Sequence, residues 1–155
     1  MNNKLFSEYT DEELIIEFKL NKTEKAFELL MKRYKNPLYN FVFRFLGDYT
    51  LCSDIVQETF IRVYKNADSY KDIGRFSTWI YTIANNLART EFARLKKGLN
   101  ISLTNSGLDG DDMELPDNRM RPDNEIELKF NEEVIQKALL KIPENFRELV
   151  ILRDI

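Results

Sequence analysis

Apolar residues recur along this chain every three to four positions, and the pattern predicts helices almost throughout. Thr10-Asp11-Glu12-Glu13 has the form of a capping box and opens a short helix carrying Leu14, Ile15 and Phe18, which Asn21 to Thr23 break. From Glu24 the positions Phe27, Leu30, Tyr34, Phe41 and Phe45 form a core stripe; Pro37 is expected to bend or interrupt this run and Gly47-Asp48 to end it. The next helix is predicted over about Leu51 to Asn66. A loop from Asp68 to Arg75, containing Gly74, then leads to a long helix capped by Ser77 and reaching about Lys97. Residues 98–123, rich in Gly, Ser, Asn, Asp and Pro, read as a flexible acidic linker. A last helical piece over 124–155 carries Ile126, Phe130, Val134, Ala138 and Leu139, stops at Ile142-Pro143, and restarts at Pro143 through Phe146 to Leu152. The predicted fold class is all-α.

At about 100° per residue, Asp54, Gln57, Glu58, Ile61 and Lys65 share one side of the third helix, while Ile55, Val56, Thr59, Phe60 and Val63 share the other. The second set is core. Spacing leaves two readings of the first set open, a solvated face or a docking surface. On the long helix Trp79, Ile80, Ile83, Ala84, Leu87, Phe92 and Leu95 face inward, and Thr82, Asn85, Asn86, Arg89, Ala93 and Lys96 face outward. Here too a wet surface competes with a polar and basic stripe that reads nucleic acid, although paired Asn85-Asn86, poor helix formers, call for a local reason. The preceding loop favours the second reading. Tyr70, Lys71, Arg75 and Phe76 combine cations for a backbone with aromatic rings, which stack on an unpaired base at about 1–3 kcal/mol each, so single strands suit it better than duplex.

Charge sharpens this picture. The net charge of the 155 residues is −3, yet residues 1–61 carry −2, residues 62–97 carry +5 and residues 98–155 carry −6, so only the middle block suits phosphates. With no histidine and one cysteine, the chain has no His-dependent triad and no His/Cys zinc cluster; a Gly-rich phosphate loop is absent too, and an enzyme is not expected. Asp109, Asp111 and Asp112 lack the register of a calcium loop, so no metal or cofactor is expected. Cys52 reads as an inert, partly buried thiol in a reducing compartment. The sequence carries neither a secretory signal nor an apolar run long enough to span a membrane, and the expected location is cytoplasmic.

Three words in this order and spacing, Asp54-Ile55-Val56-Gln57-Glu58-Thr59-Phe60, Phe76-Ser77-Thr78-Trp79-Ile80-Tyr81 and Ile83-Ala84-Asn85-Asn86-Leu87-Ala88, closely resemble region 2 of the extracytoplasmic-function (ECF) sigma factors of bacterial RNA polymerase. The similarity extends upstream to Ala26-Phe27 and Arg33-Tyr34 and downstream to Ile142-Pro143-Glu144 and Leu149 to Asp154. It implies a region 2 domain over 1–97, a linker over 98–123 and an incomplete region 4 over 124–155. Ile155 ends the sequence where the family continues into a helix-turn-helix that reads the promoter near −35, so the resemblance implies C-terminal truncation. Leu149, Val150 and Leu152 would then lack their usual neighbours, leaving that segment unstable, docked on the first domain or self-associating.

By the same resemblance Asp54, Gln57, Glu58 and Ile61 dock on the clamp helices of the polymerase β′ subunit, where carboxylates pair with arginines. The loop with Tyr70, Lys71, Arg75 and Phe76, together with Trp79 and Asn86, captures a flipped base of the non-template strand in the −10 element. Arg89, Arg94, Lys96 and Lys97 hold its phosphates, and melting is a population shift toward strand-separated DNA. Thr82 and Ile83 stand where primary sigma factors carry paired tryptophans, which implies weaker intrinsic melting. An anti-sigma factor is a further implied partner. The alternative function is a helical protein-interaction domain without promoter contact.

Overall fold

A 23-residue helix, α2 (Glu24–Leu46), is the element around which the others pack. The structure is a computed structural model describing residues 5–105 and 126–153. Within these lie α1 (Asp11–Asn21), α2, α3 (Tyr49–Lys65), α4 (Phe76–Asn105), α5 (Ile126–Lys141) and α6 (Glu144–Arg153), with short 3-10 turns at Phe6–Glu8 and Ala67–Ser69 and no strand among the described residues. The all-α expectation holds. α1, α3 and α4 surround α2, and α5 and α6 pack near its C-terminal end.

The predicted core stripe is buried: Phe27, Leu30, Tyr34, Phe41 and Phe45 on α2 meet Leu14, Ile15 and Phe18 of α1 and Ile55, Val56, Phe60 and Val63 of α3. Each such side chain contributes about 1.5–3 kcal/mol through burial. The rings interlock edge to face: Phe27 with Phe60 and Tyr64, Tyr34 with Phe76, and Phe41 with Tyr81. Thr59, the one polar member of the α3 core face, donates its hydroxyl to the Ile55 carbonyl at 2.7 Å. The Tyr34 hydroxyl donates to Asp11 Oδ2 at 2.6 Å, and Arg33 pairs with the same carboxylate, tying α2 to the start of α1. Burial, reinforced by Asp11, raises the Tyr34 phenol pKa. Cys52 is buried, and desolvation pushes its thiol from 9.0 to about 12, in keeping with the inert role expected of it.

The helix ends follow local chemistry. The capping box forms as predicted, with Glu13 N–H donating to Thr10 Oγ1 at 3.2 Å and Thr10 N–H to Glu13 Oε2 at 2.7 Å. α2 ends at Gly47 in the left-handed region (φ 74°), and Asp48 caps α3 by accepting from Leu51 N–H at 3.0 Å.

Four expectations are corrected. Pro37 does not interrupt α2: it lies on the exposed side of the helix between buried Tyr34 and Leu38, where water can take up the carbonyl its missing N–H leaves unbonded. Ser77 is not the cap of α4. That helix starts at Phe76, whose N–H donates to Glu12 Oε1 of α1 at 3.0 Å, so a carboxylate remote in sequence serves the helix N-terminus. Nor does α4 stop near Lys97. One exposed glycine, Gly98, costs about 1 kcal/mol, too little to end a helix already nucleated and packed, and no proline follows before Asn105. Finally α6 begins at Glu144, with Pro143 outside it and accepting from the N–H groups of Phe146 and Arg147. The reading of Asp109, Asp111 and Asp112 lies outside the described residues.

Candidate functional site

The outward row of α3 divides between two neighbours. Asp54, Gln57 and Ile61 are exposed and Glu58 is half-buried, its carboxylate accepting from Arg62 Nε at 2.8 Å. Gln57 and Ile61 border a groove of about 780 Å³ between α2 and α3, floored by Phe27, Met31, Val56, Phe60 and Tyr64 and rimmed by Lys32, Lys35 and Lys65. Asp54 and Glu58 turn the other way, toward a smaller depression shared with Leu87, Thr90, Glu91 and Arg94 of α4. The apolar groove was not legible in the sequence, because Met31 and Tyr64 sit on separate helices and each alone reads as an ordinary exposed residue.

The loop before α4 is braced from inside. Tyr70 and Phe76, expected as stacking platforms, are 4% and 0% exposed. Their rings lie 6.0 Å apart, at 5.3 and 6.0 Å from half-buried Trp79, and the Tyr70 hydroxyl donates to the Gly74 carbonyl at 2.8 Å. Lys19 Nζ donates to the Tyr70 carbonyl at 3.0 Å. Burial raises the Tyr70 phenol pKa, with Glu12 and Asp72 adding to it. The two rings are therefore core in this conformation, since a ring flanked by other rings and closed off from solvent offers no face to a base. What the brace presents outward is Lys71, Arg75 and, between them, Asp72 and Ile73, the latter at 90% exposure. A lone loop isoleucine gives no sequence signal of its own, and Ile73 was missed.

Along α4, Asn86, Arg89, Arg94, Lys96 and Lys97 are all exposed. Arg94 Nε donates to both oxygens of Glu91 at 3.0 Å and holds that carboxyl below the usual range. Asn85 Nδ2 donates to Glu148 Oε1 of α6 at 2.7 Å, and Arg89 lies 3.4 Å from Glu148 Oε2. That contact supplies the local reason for Asn85. Next to Glu148, Arg147 is 4% exposed and donates to the carbonyls of Leu139, Phe45, Leu140 and Ile142 at 2.8–3.0 Å. Neither contact was predicted. Of the three fates left open for the C-terminal piece, docking on the first domain is the one seen: Ile151 is buried in the core cluster while Phe146, Leu149, Val150 and Leu152 stay exposed. Among the described residues no group of acidic and sulfur side chains could hold a metal ion, and no helix is long and apolar enough to cross a membrane.

Comparison with known proteins gives a consistent result. The profile of Sigma-70 region 2 matches residues 30–98. The ECF RNA polymerase sigma factor SigW of Bacillus subtilis is 31% identical over 150 residues, covering 92% of this chain and 80% of the relative. The ECF RNA polymerase sigma-E factor of Escherichia coli is 28% identical over 154 residues, covering 96% and 78%. Among solved structures, an engineered region 2 of sigmaE, determined by NMR in complex with GTAAAA, superposes with a TM-score of 0.53 at 33% identity, covering 64% of this chain and 98% of the other.

Proposed function

The chain belongs to the ECF RNA polymerase sigma factors and is a transcription initiation factor, and from that premise we propose how its surfaces divide the work. Asp54, Gln57, Glu58 and Ile61 on α3 recruit the polymerase core through the clamp helices of β′, the carboxylates pairing with arginines and Ile61 adding apolar contact at the lip of the groove. The loop tip and α4 take the non-template strand of the −10 element. Lys71 and Arg75 meet the backbone beside a captured base, Trp79 and Asn86 border the base, and Arg89, Arg94, Lys96 and Lys97 hold phosphates. Tyr70 and Phe76 serve as the buried brace that keeps the tip in place. Residues 1–97 act as region 2, 98–123 as the connection and 124–155 as the start of region 4. The protein works in the cytoplasm as a binding protein without chemistry of its own, and an anti-sigma factor competes for the same surfaces.

The observation that carries this reading is the braced loop: buried aromatics hold in place an exposed tip in which Lys71 and Arg75 flank Asp72 and Ile73. The test is binding to polymerase core, then of that complex to fluorescent single-stranded −10 libraries. Asp54→Arg is expected to lose core binding, and Asn86→Ala to keep it while losing sequence-selective strand capture. A wild-type chain that ignores core enzyme, or an Asn86→Ala chain that captures strands as selectively as wild type, contradicts the division.

A further inference from the structure

The last carbonyls of α2 sit at the negative end of its dipole, and beyond the Gly47 N–H that caps the Phe43 carbonyl at 2.8 Å their own helix offers them no donors. Side chains from α5 and α6 come to meet them. Gln136 Nε2 donates to the Phe43 carbonyl at 3.0 Å, and Arg147 Nη1 donates to the Phe45 carbonyl at 2.8 Å. The rest of the Arg147 fork donates to Leu139, Leu140 and Ile142 at the end of α5, so one guanidinium serves two helix C-termini while lying over the rings of Phe45 and Phe92. The fit is close: a Cβ at Gly47 would stand 3.1 Å from Leu140 Cδ1. One helical turn of α6 beyond this clasp, Ile151 enters the core cluster, and Glu148 reaches across to Asn85 and Arg89 of α4.

We infer that the protein closes on itself, α5 and α6 docking on the C-terminal end of α2 and the middle of α4 so that Glu148 occupies the place a nucleic-acid phosphate would take on the Asn85–Arg89 stripe. The inference rests on the reading of α4 as a strand-binding face. A carboxylate that pairs with Arg89 and accepts from a neighbouring amide offers the same acceptors and the same sign of charge as a phosphate, so the two compete for one set of donors. The seat is reversible by construction. Phe146, Leu149 and Val150 remain exposed in it, the ion pair is exposed on the Arg89 side, and Asn85 Oδ1 is buried without a hydrogen-bond partner among the described residues. Strand affinity is then reduced by the fraction of molecules that are closed.

The experiment uses the full chain in three forms: wild type, Glu148→Arg and Ile151→Asp. Amide hydrogen exchange of α6 reads closure, and titration with a fluorescent single strand carrying GTAAAA reads the stripe. The two variants change net charge in opposite directions, so bulk electrostatics cannot move both the same way. α6 protected in the wild type and exposed in both variants, with strand affinity rising about tenfold in each while α2 and α3 keep their protection, is the expected result. A gain in Glu148→Arg alone, or release of α6 with no gain in either variant, overturns the masking. Should Ile151→Asp fail to fold, Glu148→Arg is read against Glu133→Arg, an equal charge change at an exposed site on α5, and equal gains overturn the masking. Absent protection of α6 in the wild type with strand binding intact overturns closure and the masking with it, while the strand-binding reading of α4 stands. Protected α6 with no strand binding by any form overturns the nucleic-acid reading and the masking with it.

Discussion

Within α1–α4 adhesion is aromatic and aliphatic, with Phe18, Phe27, Phe60 and Tyr64 in one ring cluster and Tyr34, Phe41, Phe76 and Tyr81 in another. Between that body and α5–α6 it is largely polar. Among the described side chains of the pair, Leu139 and Ile151 are the buried apolar ones; beside them Leu140 fits against Gly47, Arg147 lies over the Phe45 and Phe92 rings, backbone carbonyls are met by Gln136 and Arg147, and a carboxylate is met by Asn85 and Arg89. Apolar packing loses free energy steadily with area exposed and has no substitute partner in water, whereas each hydrogen bond across the second junction can be exchanged for one to solvent or to another ligand. A permanent body and a detachable pair follow from that difference.

The comparison breaks most visibly at Phe45, which belongs to both junctions. Phe45→Ala is expected to cost about 3–5 kcal/mol in chemical denaturation and to loosen α5–α6 at once, because the ring packs on Phe92 and lies under Arg147. Arg147→Met separates the two regions. Loss of the guanidinium strands carbonyls at two helix ends, so the pair should undock by about 2 kcal/mol, read as roughly 30-fold faster exchange in α6, with the midpoint of the α1–α4 transition little changed. Thr10→Ala acts on the body alone, lowering its stability by about 1 kcal/mol through the lost cap. Glu58→Ala should cost no more than about 0.5 kcal/mol, because its half-exposed pair with Arg62 is screened, yet it should weaken polymerase binding measurably.

The same contrast appears in pH. The folded body raises the pKa of the Cys52 thiol and of the Tyr34, Tyr70 and Tyr81 phenols, each chiefly by burial. A raised pKa means that the native state keeps a proton the unfolded chain releases. The stability concerned is therefore fully present below the ordinary value, 9.0 for the thiol, and is lost as pH climbs toward about 12. With no histidine in the chain, denaturation midpoints should be flat from pH 6 to 8 and fall above pH 9. Cys52 should resist thiol reagents at pH 8 until the body unfolds.

How much of this could be read from the sequence follows the range of the interactions. Phe27, Leu30, Tyr34, Phe41 and Phe45 announce themselves by spacing, and Thr10 with Glu13 by a four-residue rule, because in both cases the cause lies within a turn or two of helix. Glu12 serving α4, and Glu148 holding Asn85, join residues more than sixty positions apart, and nothing local marks them. Arg147 is the clearest failure: by composition it is a surface cation, and only the meeting of two helix ends makes it a core residue. Tyr70 and Phe76 failed differently, since an aromatic pair in a basic loop has the same spelling whether the rings face out or in.

The loop before α4 separates support from message. Tyr70 and Phe76 anchor it in the core, whereas Lys71, Asp72, Ile73 and Arg75 lie exposed. Substitution at such exposed positions ordinarily shifts stability by within about 0.5 kcal/mol. The tip is thus a short address label on a rigid mount, and it can be rewritten without disturbing the machine that carries it.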